Sequence, residues 1–339
     1  MLRSLTLSTA AVLLAACATS PSDPAPAPAV AVPAVRPVRI GLALGGGAAK
    51  GFAHIGVIKM LEANGIVPAV VSGTSAGSVV GAMYASGMDA YALQEKSVAM
   101  DESSVRDVSL FSGGLVKGQK LQDYVNAQLG GRNFAALKKP FSVVATRLED
   151  GQRTVFVRGN VGQAVRASSA IPGVFEPVGI GRFHYVDGGI TSPVPVDAAR
   201  ELGADFVIAV DISSKAGGAV DSSSLLGNVN RSIVIMGQKL GAQELARADV
   251  VIRPRVNDVG PADFEQKNRV ILEGERAAQA ALPQIRAKLA ALQAARMAKA
   301  RQAAEARDAL QRDAERKARC AKQTGWLDKL RRDPECRAD

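Results

Sequence analysis

Apolar residues occur along this chain in two patterns: short continuous runs, and longer stretches in which they recur every three or four positions. The short runs predict strands, which fall at 39–44, 66–72, 141–147, 154–157, 183–186, 205–212 and 248–253. The second pattern predicts helices, which fall at 52–61, 76–86, 88–99, 121–129 and 161–170. Because strands that are separated by helices usually pair in parallel, we expect an α/β fold with a mostly parallel sheet and helices on both faces.

The chain from 263 to 319 is almost uninterrupted helix-forming sequence, in which Pro283 predicts a kink or a new helix start. Apolar residues keep helical spacing up to Leu292, and beyond it the composition is that of an exposed helix. From Arg286 to the end, fifteen Lys or Arg stand against eight Asp or Glu, so most of the net charge of +10 lies in this tail. The rest of the chain is near neutral, which argues against a nucleic-acid binder. The tail is either a solvated helix or a contact for anionic lipid, peptidoglycan or a partner helix.

The first sixteen residues are typical of a lipoprotein signal peptide: Arg3 is basic, 5–14 are apolar, and small residues precede Cys17. The apolar run is too short for a comfortable membrane span. We expect Cys17 to be the lipidated mature N-terminus of a protein in a bacterial cell envelope, on the outer membrane facing the periplasm. An ordinary secretory signal is the alternative. Residues 17–37 are rich in Pro and Ala and predict an extended tether of roughly 60 Å.

Two further cysteines, Cys320 and Cys336, lie close together near the end of the chain. In an exported protein this spacing predicts a disulfide, and without supporting histidines it does not predict a metal site. The expected organisation is therefore a signal at 1–16, a tether at 17–37, a main globular domain at 38–292 and a basic helical tail at 293–339.

Ser75 is the candidate nucleophile, because it lies in a Gly-x-Ser-x-Gly segment between a predicted strand and a predicted helix. This order of elements is the context of a nucleophile elbow. A sharp turn holds the serine in a strained backbone conformation, and only glycine at 73 and 77 lets the flanking segments pass each other. We therefore expect Gly73 and Gly77 to support the turn.

The glycine-rich stretch 45–51 follows the first strand and precedes a helix, an arrangement that binds anions. A dinucleotide fingerprint would need glycine where Lys50 stands, and a P-loop would need Ser or Thr after the lysine. An oxyanion hole remains, with main-chain N–H groups as donors. The expected donors are Gly46, Gly47 and Ala48, and the expected supporting residues are Gly45, Lys50 and Gly51.

The general base has three candidates, since a serine hydroxyl needs a proton acceptor within hydrogen-bond reach. His54 lies one turn inside the helix after the glycine loop, where a packed histidine is the favoured interpretation. His184 lies in a strand and points to either side. Asp187, followed by Gly188 and Gly189, ends that strand, and open parallel sheets collect functional groups at the carboxyl ends of their strands. Asp187 is therefore the preferred base.

Four segments together resemble the patatin-like phospholipase family in order and spacing: 45–56, 73–77, 167–172 and 187–189. The resemblance covers about 39–253 and is to bacterial, lipoprotein-type members. It implies a three-layer α/β sandwich related to cytosolic phospholipase A2, with a Ser-Asp dyad of Ser75 and Asp187, an oxyanion hole in the glycine loop, and no metal or other cofactor. The segment 167–172 matches a family block without an assigned role.

The expected function is hydrolysis of lipid acyl esters, of phospholipase A or lysophospholipase type, through an acyl-serine intermediate. An acyl-thioesterase is one alternative. A membrane-tethered binding or regulatory protein with little turnover is the other. The expected partners are a lipid substrate and the membrane, the latter through Cys17 and the basic tail, and no nucleic acid.

Overall fold

The computed structural model describes residues 34–99, 107, 116–213, 225–322 and 336. The predicted signal peptide, Cys17 and most of the tether lie outside these ranges. So does nearly all of the irregular segment 101–118, which the sequence suggested as a lid or channel wall.

The described residues form one eight-stranded sheet in the order β5-β6-β3-β2-β1-β7-β8, with β4 paired to β3. Its strands are β1 (Ile40–Leu44), β2 (Val70–Thr74), β3 (Phe141–Arg147), β4 (Arg153–Phe156), β5 (Val178–Ile180), β6 (Phe183–Asp187), β7 (Phe206–Val210) and β8 (Val250–Ile252). Five neighbouring strands pair in parallel, as predicted: β3, β2, β1, β7 and β8. In contrast, β4 and β6 pair antiparallel with β3, and β5 pairs antiparallel with β6, so the sheet is mixed.

Helices cover both faces of the sheet, which confirms the three-layer sandwich. They are α1 (Phe52–Ala63), α2 (Ala76–Ala85), α3 (Ala90–Ala99), α4 (Gln119–Gln128), α5 (Val161–Ser168), α6 (Val196–Glu201), α7 (Leu225–Leu245) and α8 (Lys267–Lys322). Alternate residues of one strand enter different cores, since successive side chains point to opposite faces. In β1, Leu42 and Leu44 join the core that includes residues of α1, α2 and α8, whereas Ala43 joins the core formed with residues of α6.

Three described elements were not predicted from the sequence: β5, α6 and α7. Strand β5 is three residues long and lies between Pro177 and Gly181, so its apolar run is too short to stand out. Of the two outcomes expected at Pro283, a kink or a new helix start, the new start is wrong, because α8 continues through this residue.

The contacts divide the chain into two compact units, Arg36–Arg296 and a second one formed by the segments before and after it. In the second unit, Cys320 and Cys336 form the predicted disulfide. Several of its basic side chains pair with acids one turn away on α8, among them Arg301 with Glu305 and Lys317 with Asp313. Among the described residues, no helix is both long enough and apolar enough to cross a bilayer.

Candidate active site

The turn between β2 and α2 places Ser75 in the left-handed region of backbone conformation, with φ 51° and ψ −124°. In the described part of the chain, only Ser75 and Ala48 combine a side chain with positive φ, and both lie at this site. Backbone strain of this kind concentrates at functional sites. The turn also needs glycine, because a Cβ at Gly77 would lie 2.1 Å from the Leu44 carbonyl oxygen, and one at Gly73 would lie 2.5 Å from the Gly77 carbonyl oxygen.

Ser75 and Asp187 are in direct contact. The Ser75 hydroxyl donates a hydrogen bond of 2.7 Å to Oδ2 of Asp187, and Oδ1 accepts one of 2.7 Å from the Gly189 amide. Both side chains are buried, and burial raises the pKa of Asp187 to about 6. A Cβ at Gly188 would lie 2.1 Å from the Val144 carbonyl oxygen, so only glycine lets this turn approach β3.

The strand register explains how these two residues meet. Thr74 lies opposite Val144 across the parallel pair β2–β3, and Asp187 lies opposite Ala145 across the antiparallel pair β3–β6. Asp187 therefore lies at the same height along the sheet as Ser75, although β6 runs antiparallel to the strand that leads to Ser75. The choice of residue agrees with the geometry, whereas the argument from the carboxyl ends of parallel strands does not apply to it.

Ser168 holds the turn in place and was not singled out from the sequence. Its hydroxyl accepts a 2.8 Å hydrogen bond from the Ser75 amide and donates one to the Val144 carbonyl. Ser168 is fully buried at the end of α5. The segment 167–172, which had no role at the sequence level, thus supports the backbone of Ser75.

Two amides of the glycine loop lack an acceptor among the described residues, whereas those of Gly45, Gly46, Ala49 and Lys50 each have one. Gly45 donates to the Val210 carbonyl and Gly46 to the Pro193 carbonyl, each over 3.0 Å. The expectation that Gly46 is an oxyanion donor is therefore wrong for this conformation, because its N–H is engaged. Within the described ranges, the amides of Gly47 and Ala48 have no acceptor, which leaves them as the candidate donors.

Gly45, Lys50 and Gly51 of the loop are closely packed against neighbouring segments. A Cβ at Gly51 would lie 2.8 Å from that of Ala76, and one at Gly45 would lie 2.9 Å from the Val210 carbonyl oxygen. Lys50 is buried, and burial lowers its pKa against the opposing field of Asp258 and Asp211. Lys50 thus belongs to the packing around the loop.

Neither histidine lies where a base for Ser75 would be needed. The Nε2 atom of His54 lies 2.8 Å from the Gly45 carbonyl oxygen, and complete burial lowers the pKa of this imidazole to about 4. A neutral ring donating to that carbonyl fixes the glycine loop, in agreement with the expected packed histidine. His184 is exposed, and its Nδ1 lies 3.0 Å from Glu149.

An apolar cavity of about 390 Å³ opens beside Ser75. This volume lies within the range of small-molecule sites. Residues from the glycine loop, α1, α2, α4 and the segment after α5 line it, among them Ala48, Phe52, Val79, Met83, Leu121 and Ile171. Its volume and apolar lining suit a hydrocarbon chain beside Ser75.

Residues 42–200 match the family model described as patatin-like phospholipase. The chain carries a patatin-like phospholipase domain. An uncharacterized NTE family protein of Mycobacterium tuberculosis is 38% identical over 187 residues, which cover 54% of this chain and 52% of that protein. Lysophospholipase NTE1 of Pyricularia oryzae is 31% identical over 181 residues, which cover 52% of this chain and 12% of that protein. The chain thus spans about half the length of the mycobacterial relative and a smaller share of the fungal one.

A solved structure, that of VipD from Legionella pneumophila, aligns with a TM-score of 0.49 and 17% identity, over 73% of this chain and 67% of that one. The matched patatin-like domain contains Ser75, Asp187, Ser168 and the glycine loop. The fold continues beyond it, because β7, β8 and the first part of α8 belong to the same compact unit. Pro261 and Phe264, which also line the cavity, lie outside the matched residues.

Among the side chains that the structure describes, no three His, Cys, Asp or Glu come together in a way that could hold a metal ion. The buried polar groups that contact Ser75 include the Asp187 carboxylate, the hydroxyls of Ser168 and Ser78, and main-chain amides. The chemistry that this arrangement offers is proton transfer from a hydroxyl to a carboxylate beside an apolar cavity.

Proposed function

We propose that this protein is a serine hydrolase of lipid acyl esters, of phospholipase A or lysophospholipase type. The observation that carries the proposal is the 2.7 Å hydrogen bond from the Ser75 hydroxyl to Asp187, at the mouth of an apolar cavity. The match to patatin-like phospholipases and the similarity to a lysophospholipase support the choice of a lipid as substrate.

The proposed reaction has two steps. The Ser75 hydroxyl oxygen attacks the ester carbonyl carbon while its proton moves to Asp187. The negative charge on the carbonyl oxygen faces the amides of Gly47 and Ala48. The alcohol leaves with the proton from Asp187, and the acyl group remains on Ser75. Water then attacks this ester and gives a proton to Asp187. The bond between the acyl carbon and the Ser75 oxygen breaks, Asp187 returns the proton to that oxygen, and the fatty acid leaves.

The burial of Asp187 suits this role. A carboxylate with a pKa near 6 is ionised at neutral pH, yet it holds a proton more readily than an exposed aspartate does. Direct transfer from serine to carboxylate needs a short, dry contact, and both groups are buried. Asp187 therefore takes the place that histidine occupies in a triad.

The experiment is labelling of the purified protein with a fluorophosphonate, combined with hydrolysis of a panel of phospholipids, lysophospholipids and acyl-thioesters. Ser75→Ala should abolish labelling and turnover, and Asp187→Asn should lower turnover by at least a thousandfold. The matched control is His184→Gln, which alters an exposed side chain and should retain full activity. Unchanged hydrolysis by folded Ser75→Ala would refute the proposal, and a preference for thioesters would change the substrate class.

We further propose that the chain is anchored in a bacterial envelope membrane through lipidated Cys17, with the tether reaching to the domain. This rests on the sequence before the described residues, in which small residues precede the cysteine. Expression with radiolabelled palmitate should label the wild type and leave Cys17→Ser unlabelled. Equal labelling of the two would contradict the anchor.

A further inference from the structure

The segment Ser192–Val194 contacts all three parts of the candidate active site. The Ser192 amide donates to the Gly188 carbonyl over 2.8 Å, next to Asp187. The Thr74 hydroxyl, next to Ser75, donates to the Ser192 carbonyl over 2.8 Å. The Gly46 amide donates to the Pro193 carbonyl over 3.0 Å. One short segment thus joins the base, the nucleophile and the glycine loop.

Glu244, near the end of α7, holds this segment by two hydrogen bonds. Its Oε1 accepts a 2.5 Å hydrogen bond from the Ser192 hydroxyl, and its Oε2 accepts one of 2.9 Å from the Val194 amide. Both carboxylate oxygens are therefore committed to the segment. Glu244 is buried and Ser192 is fully buried, so water cannot readily replace these bonds.

The surroundings of Glu244 favour a structural role for this residue over direct participation in the reaction. Burial raises the pKa of its carboxyl to about 7, with Asp197 raising it further and Arg247 opposing the change. Arg247 itself is paired with Asp197. Glu244 does not line the cavity beside Ser75. The hydrogen bonds that connect Glu244 with the active site run through the segment Ser192–Val194.

We propose that Glu244 is a positioning residue for the hydrolase: it fixes the segment Ser192–Val194 and thereby aligns the glycine loop, Ser75 and Asp187. This inference rests on the proposed function. It assigns a role to α7, which lies outside the residues that match the patatin-like family model. The physical reason is that a misplacement of about 1 Å in a reacting group can lower a rate by about a hundredfold.

Two variants of Glu244 test the inference by the rate at which a fluorophosphonate labels Ser75. Glu244→Ala leaves the buried Ser192 hydroxyl and Val194 amide without their acceptor, and labelling should slow tenfold to a hundredfold. Glu244→Gln can accept from the amide and donate to the hydroxyl, so labelling should stay within a few-fold of the wild type. With a lysophospholipid substrate, the loss in Glu244→Ala should appear in kcat more than in KM.

Asp249→Ala is the matched control. Asp249 also accepts a hydrogen bond from a strand amide, that of Val207 over 2.7 Å, and it pairs with Arg200. Val207 lies near the start of β7, whereas the glycine loop adjoins its end at Val210. Truncating Asp249 should lower stability without slowing the labelling of Ser75.

Hydrogen–deuterium exchange gives a readout that does not need activity. Glu244→Ala should speed exchange in peptides covering 44–49 and 72–76, and Asp249→Ala should leave them unchanged. If the fluorophosphonate does not label the wild type at all, the proposed function is wrong. The exchange rates of the two variants then still test whether Glu244 positions the glycine loop and Ser75. Should Glu244→Ala fail to fold, Ser192→Ala, which removes one hydroxyl, should slow labelling about tenfold. Wild-type labelling and exchange in the folded variants would overturn the inference.

Discussion

The hydroxyl of Ser75 lies 2.7 Å from a carboxylate oxygen of Asp187 that burial has made unusually basic. The other oxygen of Asp187 is held by the Gly189 amide, so the carboxylate cannot turn away without losing that bond. Hydrogen bonding by Ser75 and Gly189 lowers the pKa, but the effect of burial is larger. The contact therefore combines a fixed geometry with a proton affinity that suits catalysis near neutral pH.

The first prediction concerns the pH dependence of catalysis. Asp187 must be ionised to accept the serine proton, so kcat/KM should rise about tenfold per pH unit below pH 6 and level off above it. Measurement with a soluble acyl ester between pH 4.5 and 8 checks this. Glu244→Gln shows which of the two buried carboxyls causes the pH dependence, because the profile of this variant should keep its midpoint near pH 6. A profile that is flat across this range would contradict the assignment of Asp187 as base.

The second prediction concerns stability. Burial raises the pKa of Asp187 from 3.8 to about 6, so its contribution to folding is most favourable below pH 3.8 and is lost as pH rises through 6. Ionised Asp187 thus costs roughly 3 kcal/mol at neutral pH, at about 1.4 kcal/mol per unit of pKa. We expect Asp187→Asn to be more stable than the wild type at pH 8, by about 1–3 kcal/mol, and to lose this advantage towards pH 4.5.

Urea denaturation of both proteins at the two pH values measures the difference. Asp205→Asn is the control, because ion pairs with Arg36 and Arg296 hold the pKa of Asp205 at about 2. Its contribution is lost only as pH falls through that value, so the variant should be destabilised alike at pH 4.5 and pH 8. A gain for Asp187→Asn that does not change with pH would show that the buried charge is not its cause.

The third prediction compares two buried serines that differ in their contacts. Ser168→Ala removes the acceptor of the Ser75 amide and the donor to the Val144 carbonyl, which should cost about 1–3 kcal/mol and lower kcat. The Ser142 hydroxyl is buried without a partner among the described residues, so Ser142→Ala should leave stability within about 0.5 kcal/mol. Denaturation and kcat of both variants test this. Equal effects of the two would remove the supporting role of Ser168.

The fourth prediction concerns the cavity. Val79 on α2 lines it beside Ser75, so Val79→Phe should shorten the space for an acyl chain. Each excluded methylene forfeits about 0.8 kcal/mol, so kcat/KM for long chains should fall by roughly fourfold per carbon while short-chain esters are retained. Val67→Phe alters an exposed valine and should leave the chain-length profile unchanged. A profile unchanged by Val79→Phe would place the acyl chain elsewhere.

Much of the fold follows from local patterns. Continuous apolar runs predict β1, β2 and β7 because both faces of these strands are buried, and helical spacing predicts α2 and α5. Two of the elements that escaped prediction are too short to give a strong local signal. Strand β5 has three residues, and α6 has six and no side-chain cap. No new helix starts at Pro283, because the local cost of proline did not outweigh continuation of the helix, whose preceding turns are packed into the core at Val270 and Leu282.

By itself, the sequence determined the candidate nucleophile, since glycine at 73 and 77 marks positions where the backbone approaches too closely for any side chain. It preferred Asp187 among three candidate bases, and the contact with Ser75 is a result of the tertiary structure. The sequence also determined the sandwich, through the order of its strands and helices. Only the tertiary structure decided which amides remain available, because the acceptor of the Gly46 amide, the Pro193 carbonyl, lies far along the chain. For the same reason it alone revealed Ser168 and Glu244, whose partners are set by strand register and helix packing, which no local pattern encodes.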